Sequence, residues 1–296
     1  MDLDGYKQAQ RERLLHIDFR ANFLGDVGRS DLIKRFGIKA AAATRDIQTY
    51  SELAPDNLIY DTKSKAFLRS DHFRPIFEYK ESQVLAALSQ GYGEDFVGSP
   101  KPFVACETPA NLNKPKLEVL SAISRAIHQK KAVRVEYCST SSGLATRELV
   151  PFVLVDNGLR WHVRTYDRKN TRFADFVITR FTNAELIDGP LEEHEDLQHD
   201  HQWNRMVELE LVAHPNMEHK QPIELDYEMV DGVFKQNVRA AVAGYVLRRW
   251  NVDCTEDHSL KGAEYQLWLR NRAALYGVEN LVLAPGYLSS SDEVNK

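Results

Sequence analysis

Residues 30–70 read SDLIKRFGIKAAAATRDIQTYSELAPDNLIYDTKSKAFLRS. Ser30 can cap a short helix, DLIKRF, whose Leu32, Ile33 and Phe36 face inward, and Gly37 supplies the left-handed residue that closes it. Residues 40–53 place Ala43, Ile47 and Tyr50 on one face, continued by Ala54, so the spacing predicts a further helix, stopped by Pro55. Two extended runs, NLIYD and AFLRS, flank the polar TKSK turn as a hairpin. Upstream, residues 6–24 repeat Leu14, Ile17, Ala21 and Leu24 at helical spacing, a stripe widened by Leu15 and Phe19. The order is helix, helix, glycine turn, helix, hairpin.

That is the winged helix-turn-helix order, and the third helix has the side chains for reading a duplex. Small Ala41 and Ala42 let its N-terminus approach a groove floor, while Lys39, Thr44, Arg45, Gln48 and Thr49 project from the same side. Arg bonds guanine bidentately and Gln adenine, whereas Lys and Thr suit phosphates. Lys63 and Lys65 at the hairpin tip add attraction that is independent of sequence. The alternative is a solvated helix face on which Arg45 pairs locally with Asp46.

The chain of 296 residues is 43% hydrophobic and 27% charged, which fits a soluble globular protein of two or three domains. Its apolar stretches near residues 150–155 and 281–284 fall far short of the roughly 20 residues that cross a bilayer, and its start lacks a signal-peptide core. Cys106, Cys138 and Cys254 are odd in number and far apart, which argues against a disulfide framework; the expected location is the cytoplasm. The net charge of -5 hides an uneven distribution: +2 over residues 1–80, -2 over 81–114, +4 over 115–189 and -9 over the remainder. The basic parts can face a polyanion.

Gly and Pro punctuate residues 91–115, so a connector belongs there. Residues 116–129 then read as a helix leading into AVRVEYC, where Val133, Val135 and Tyr137 alternate as a half-buried strand. Strand-like runs at 147–155 and 160–166 flank Asn157-Gly158, a hairpin signal because both turn positions favour positive φ, and 172–178 adds a further strand. After a polar, acidic linker or exposed helix at 190–201, MVELELVA and PIELDY alternate as strands, 233–250 reads as one long helix, and YQLWL and LVLAP read as two more strands. Ala240, Ala241, Ala243 and Gly244 in that long helix are small enough for close helix approach across a dimer; the bland reading is that it covers its own sheet.

Three stretches, AIHQKKAVRVEYCST, RELVPFVLVDNGLRWHVRTYD and RFADFVITRF, together with the winged helix, resemble the WYL-domain transcription regulators, in particular the repressors encoded beside bacterial anti-phage (BREX-type) defence systems. Trp161, His162 and Val163 stand where that family usually has Trp, Tyr and Leu. The resemblance implies an α+β multidomain chain: a winged helix-turn-helix domain over 1–95, a connector over 96–114, an Sm/SH3-like β-barrel WYL domain over 115–190 that senses a ligand, and an α/β dimerisation domain over 200–296. It also implies a homodimeric repressor of double-stranded DNA bearing an inverted repeat.

On the strand around the altered tripeptide, Trp161, Val163 and Thr165 point to the core, while His162, Arg164 and Tyr166 form one polar surface. Arg172, Asp175 and Arg180 arrive from the next strand and its exit, and Tyr137 and Ser139 complete the candidate set. Arginines beside a stacking aromatic suit a flat anionic effector such as a nucleotide or oligonucleotide; the alternative is a solvated face with Arg paired to Asp167 and Asp175. Catalytic motifs are missing: there is no phosphate-binding glycine loop and no nucleophile elbow, and the histidines of HEDLQH at 194–199 are five apart, so a helix would not aim both at one metal. No enzymatic activity, metal or cofactor is expected, and the competing reading is an adaptor that binds RNA or single strands without an operator.

Overall fold

The computed structural model describes residues 5–90 and 112–287, so most of the expected connector, including Cys106, lies outside the described residues. Two compact units divide the chain: residues 1–155 with 160–191, and residues 192–296 with 156–159.

The first unit opens with helix α1 (Gln8–Phe23), strand β1 (Asp26–Val27), helices α2 (Arg29–Phe36) and α3 (Ala40–Leu53), and the hairpin β2 (Leu58–Asp61) and β3 (Ala66–Arg69). Leu14 and Ile17 of α1, Leu32 of α2 and Ala43, Ile47 and Tyr50 of α3 share one core. Gly37 ends α2 at φ 63°, donating to the Ile33 carbonyl, as its position implied. The start of α2 differs from expectation. The helix begins at Arg29, and the Asp31 carboxylate reaches back to the Gly28 N–H at 2.7 Å, taking the role assigned to Ser30. The two-residue β1 pairs with β3, so the wing sheet has the order β1-β3-β2. Helix α4 (Glu81–Gln90) sets Val84, Leu85 and Ala87 against Phe19 and Phe23, which makes α1 buried on two sides.

Helix α5 (Leu117–Gln129) precedes strands β4 (Ala132–Ser139), β5 (Gly143–Asp156), β6 (Trp161–Asp167), β7 (Arg172–Val177) and β8 (Phe181–Ile187). Val119, Ile123 and Ala126 of α5 pack on Val133, Val135, Leu149 and Val163, the inner face of this sheet. The strand order β7-β6-β5-β4-β8 is open, so the expected barrel is not closed by hydrogen bonds. The Asn157-Gly158 turn forms, but only Gly158 takes a positive φ; the Asn157 side chain instead accepts the Leu159 N–H at 3.0 Å.

The second unit contains the short helix α6 (His201–Asn204), strand β9 (Met206–Ala213), helix α7 (Gln221–Asp226), strand β10 (Phe234–Arg239), helix α8 (Ala240–Arg249), and strands β11 (Val252–Asp253) and β12 (Leu267–Leu269), in the sheet order β10-β9-β12-β11. Three expectations are corrected here. Residues 233–250 form a strand followed by a helix, because β10 pairs along β9 from Phe234↔Leu211 to Arg239↔Met206. PIELDY falls mostly in α7, where Pro222 stands in the first turn, and residues 281–283 make a 3-10 turn. The segment 190–201 is mostly exposed, as expected, and forms two short 3-10 turns, with Glu195 and Asp200 buried and Asp200 capping α6 by accepting the Trp203 N–H.

Candidate nucleic-acid interface

Helix α3 presents one ridge outward. Lys39 and, on the helix, Ala41, Thr44, Arg45 and Gln48 are exposed, while Ala42 and Thr49 are half-buried on the flank that faces α1. Asp46, the residue offered as a local partner for Arg45, points the other way: it is buried and takes Arg13 of α1 at 2.6 Å. Arg45 is therefore not held by its neighbour. Gln48 donates to Glu52 at 3.1 Å across the exposed face, and the Thr44 hydroxyl donates to the Ala40 carbonyl.

The wing tip is built around Asp61. Its carboxylate accepts the Lys63 and Ser64 N–H groups and the Ser64 hydroxyl, and the Ser64 bonds hold it below the usual carboxylate range. Lys65 adopts φ 55°, and both Lys63 and Lys65 are exposed. Between α3 and the wing lies a cleft of about 410 Å³ whose lining adds Arg29, Ser51, Tyr60 and Phe67 to Thr44, Gln48 and Lys65. Sequence reasoning missed these four. Of the four, Tyr60 and Phe67 pair across the wing with their rings 5.0 Å apart.

A buried polar network holds α3 in place. Asp18 of α1 is fully buried and accepts Tyr50 and Tyr79 hydroxyls at 2.6 Å each and the Ile76 N–H at 3.0 Å. Burial raises the Asp18 pKa, and those hydrogen bonds oppose the rise. Asn57 donates to the Tyr50 oxygen at 2.9 Å and to the Arg74 carbonyl at 2.7 Å, tying in the chain beyond the wing. At its far end α1 is clasped by α5. The Ser121 hydroxyl and Arg125 donate to the Asn22 carbonyl, Ser124 donates to that of Phe23, and Gln129 to that of Leu24. Side chains of α5 thus satisfy carbonyls that a helix end leaves open.

The candidate ligand residues are not brought together as one open site. His162, Arg164 and Tyr166 share a face of β6 and lie opposite Val177, Asp175 and Phe173 of β7. The alternative of a solvated face does not hold for these three, and neither are they open to solvent as an exposed polar surface: all are buried. Period two identifies the faces of a strand, but it does not show whether the second face is covered. Arg164 pairs with Asp175 at 3.0 Å, and Tyr166 packs edge-on against Phe173. Burial, with Arg160 nearby, lowers the His162 pKa to about 4. Tyr137 lies in the core on the other face, between the rings of Phe176 and Phe181, and Ser139 bonds Ser141 at the strand end. Arg172 is exposed and Arg180 half-buried. Asp167 pairs with Arg147 at 2.8 Å.

In α8 the small residues serve the chain's own packing. The Gly244 N–H donates to the Asn280 side-chain oxygen at 3.0 Å, and the Asn280 amide donates to the Ala241 carbonyl at 2.7 Å.

Comparison with known proteins follows the same division of the chain. Residues 9–90 match the BrxR transcriptional regulator winged helix-turn-helix domain, 118–186 the WYL domain, and 206–275 the BrxR transcriptional regulator C-terminal dimerization domain. The DNA-binding transcriptional repressor CapW of Escherichia coli (strain KTE188) is 33% identical over 284 residues, 93% of each chain. CapW of Pseudomonas aeruginosa is 32% identical over 280 residues, covering 90% of this chain and 91% of that one. CapW of Stenotrophomonas maltophilia is 32% identical over 260 residues, covering 82% and 84%. With a winged helix, a WYL domain and a dimerisation domain in that order, and such identity along nearly its whole length, the chain belongs to the CapW family of WYL-domain regulators.

Proposed function

We propose that this chain is a homodimeric transcriptional repressor that binds an inverted-repeat operator upstream of an anti-phage defence operon, in the cytoplasm where the DNA is. The observation that carries the reading is the contrast across α3: Ile47, Asp46 and Tyr50 are buried and pinned to α1, while Ala41, Thr44, Arg45 and Gln48 form an exposed ridge beside a lysine-tipped wing. Arg45 and Gln48 read base edges, Lys39, Thr44 and Thr49 contact phosphates, Ala41 and Ala42 leave room for close approach, and Lys63 and Lys65 hold the backbone. Dimerisation supports the reading because one helix-turn-helix covers too few base pairs for a specific site, and two copies related by a two-fold axis match two half-sites. No described helix is long and apolar enough to cross a membrane. The effector side of the proposal is narrower: Arg172 and Arg180 remain accessible for an anionic nucleotide or oligonucleotide, whereas Arg164 is committed to Asp175.

The test is binding of the full chain to duplex DNA from upstream of its own gene, by fluorescence anisotropy over a range of salt. Arg45→Ala and Gln48→Ala should weaken the specific duplex by about 1–3 kcal/mol each and random duplex little. Lys63→Ala and Lys65→Ala should weaken both duplexes and flatten the salt dependence by about one unit of slope each. Equal effects of all four on both duplexes would refute the assigned roles.

A further inference from the structure

The winged-helix and sheet modules of the first unit share a wall that contains an unused cavity. Leu24 at the end of α1, Leu88 of α4, Ile127 of α5 and Phe152, Val153 and Leu154 of β5 surround a volume of about 400 Å³. That size lies within the range of small-molecule sites, roughly 300–1,000 Å³, and is too small for an oligonucleotide chain.

Two polar side chains also line it, Ser124 and His128. The Ser124 hydroxyl already donates to the Phe23 carbonyl at 2.7 Å and can only accept from an occupant. His128 is different: its side chain is 41% exposed, and its Nε2 stands 3.7 Å from an Asp26 carboxylate oxygen. No carboxylate lines the cavity among the described residues. The space opens to solvent and its lining is mostly apolar, so an apolar body gains by leaving water for it, and an acceptor or negative charge gains at an imidazole N–H.

We propose that this cavity is an effector site for a small amphipathic organic anion, with its apolar body against Leu24, Ile127, Val153 and Leu154 and its anionic group at His128. The site differs from the buried face of β6 and takes a different ligand class from the nucleotide effector considered above. Its occupant competes with Asp26 for His128 and bears on the turn of α5 whose Ser124 and Gln129 hold the end of α1. Because α1 carries Arg13 and Asp18, the partners of Asp46 and Tyr50 in α3, the same occupant changes operator affinity. This last step rests on the DNA-binding reading; occupancy of the cavity does not.

The probes are 8-anilinonaphthalene-1-sulfonate and its uncharged analogue N-phenyl-1-naphthylamine, titrated into the folded full chain by calorimetry. The sulfonate should saturate at one site per chain. Val153→Trp, which fills the cavity, should weaken both probes at least tenfold. His128→Gln, an exposed change that spares the fold, should weaken the sulfonate several-fold and leave the neutral probe unchanged. Failure of the sulfonate to saturate, or equal affinities in wild type and His128→Gln, overturns the site whether or not Val153→Trp folds. In a second arm, saturating sulfonate should change operator affinity at least threefold in wild type and not in Val153→Trp; unchanged affinity in wild type overturns the coupling. A chain that binds operator but not the sulfonate refutes the cavity alone, and one that binds the sulfonate but no duplex refutes the DNA-binding reading alone.

Discussion

Gly244→Ala should destabilise the second unit, although alanine is the better helix former by about 1 kcal/mol. Gly244 lies in the middle of α8, and a Cβ there would run into the Asn280 carbonyl oxygen, with the Asn280 side-chain oxygen at 2.9 Å and its carbonyl carbon at 3.0 Å. The obstacle is backbone, not a flexible side-chain end. Asn280 is also tied to α8 through Gly244 and Ala241, and Leu281 behind it is core. Admitting the methyl means moving this segment, which forfeits two hydrogen bonds at about 1 kcal/mol each and adds overpacking of about 1–3 kcal/mol. After the propensity gain the net loss is about 2–4 kcal/mol. For a cooperative unit of roughly 100 residues that lowers the thermal midpoint by about 8 °C or more. Differential scanning calorimetry of the full chain measures it, with light scattering at matched concentration to follow assembly. Asn280→Ala should cost less, and in that background Gly244→Ala should still destabilise, because the colliding oxygen remains. An unchanged or raised midpoint combined with loss of the dimer would refute the intrachain account and return these small residues to the dimer interface.

Arg164→Ala removes the cation 3.0 Å from the Asp175 carboxylate on a buried face, so it should lower stability by about 3 kcal/mol or more in urea titrations; a wild-type midpoint would mean the face is solvated. His16 is buried with Arg35 and Arg20 nearby, and burial first, then those cations, lowers its pKa to about 3. The folded value lies below the unfolded one, so the His16 contribution to stability is full above about pH 6.5 and is lost as the pH falls toward 3, by about 2–3 kcal/mol at pH 4.5, with His162 adding to the loss between 6.5 and about 4. Urea midpoints at pH 7 and 4.5 test this, and His16→Leu should make the dependence shallower; an unaltered pH profile in that variant would contradict it. Tyr50→Phe takes one donor from buried Asp18 and one acceptor from Asn57, at a cost of about 1–3 kcal/mol. Since Tyr50 is a positioning residue, the variant should weaken operator binding while leaving the salt slope at the wild-type value, and a changed slope would show direct phosphate contact instead.

The parts of the fold legible in the sequence are those whose signals are local. Helix α3 runs from Ala40 to Leu53 with Ala43, Ile47 and Tyr50 inward, because a 3.6-residue stripe and a proline stop need no knowledge of the partner surface. The wing and the β5–β6 hairpin follow from turn chemistry. Expectations failed where a distant partner decides. A two-residue strand such as β1 has no periodicity of its own and exists because β3 offers it an edge. Residues 234–239 carry acceptable helix formers, yet β9 supplies a six-residue register that outweighs propensity. On the DNA face the exposure of Arg45 and Gln48 could be read from helical phase, whereas Arg29 and Tyr60 could not, since the cleft they line exists only once α2, α3 and the wing are packed together.

The same distinction explains why α1, read from its sequence as an amphipathic helix with a single stripe, is buried on more than one face. From Leu14 to Phe23 almost every residue is buried, including His16, Asp18 and Asn22, so no single stripe describes it. For two of these polar residues specific bonds offset the cost of burial: Asp18 takes two tyrosine hydroxyls, and the Ser121 hydroxyl is shared between the Asn22 carbonyl and side-chain oxygens. Such bonds are lost with displacements of less than an ångström, whereas apolar contacts tolerate sliding. Bonds of this kind hold α1 to α3 on one side and to α5 on the other, and they are the connection that the proposed coupling between the α5 cavity and the recognition helix requires.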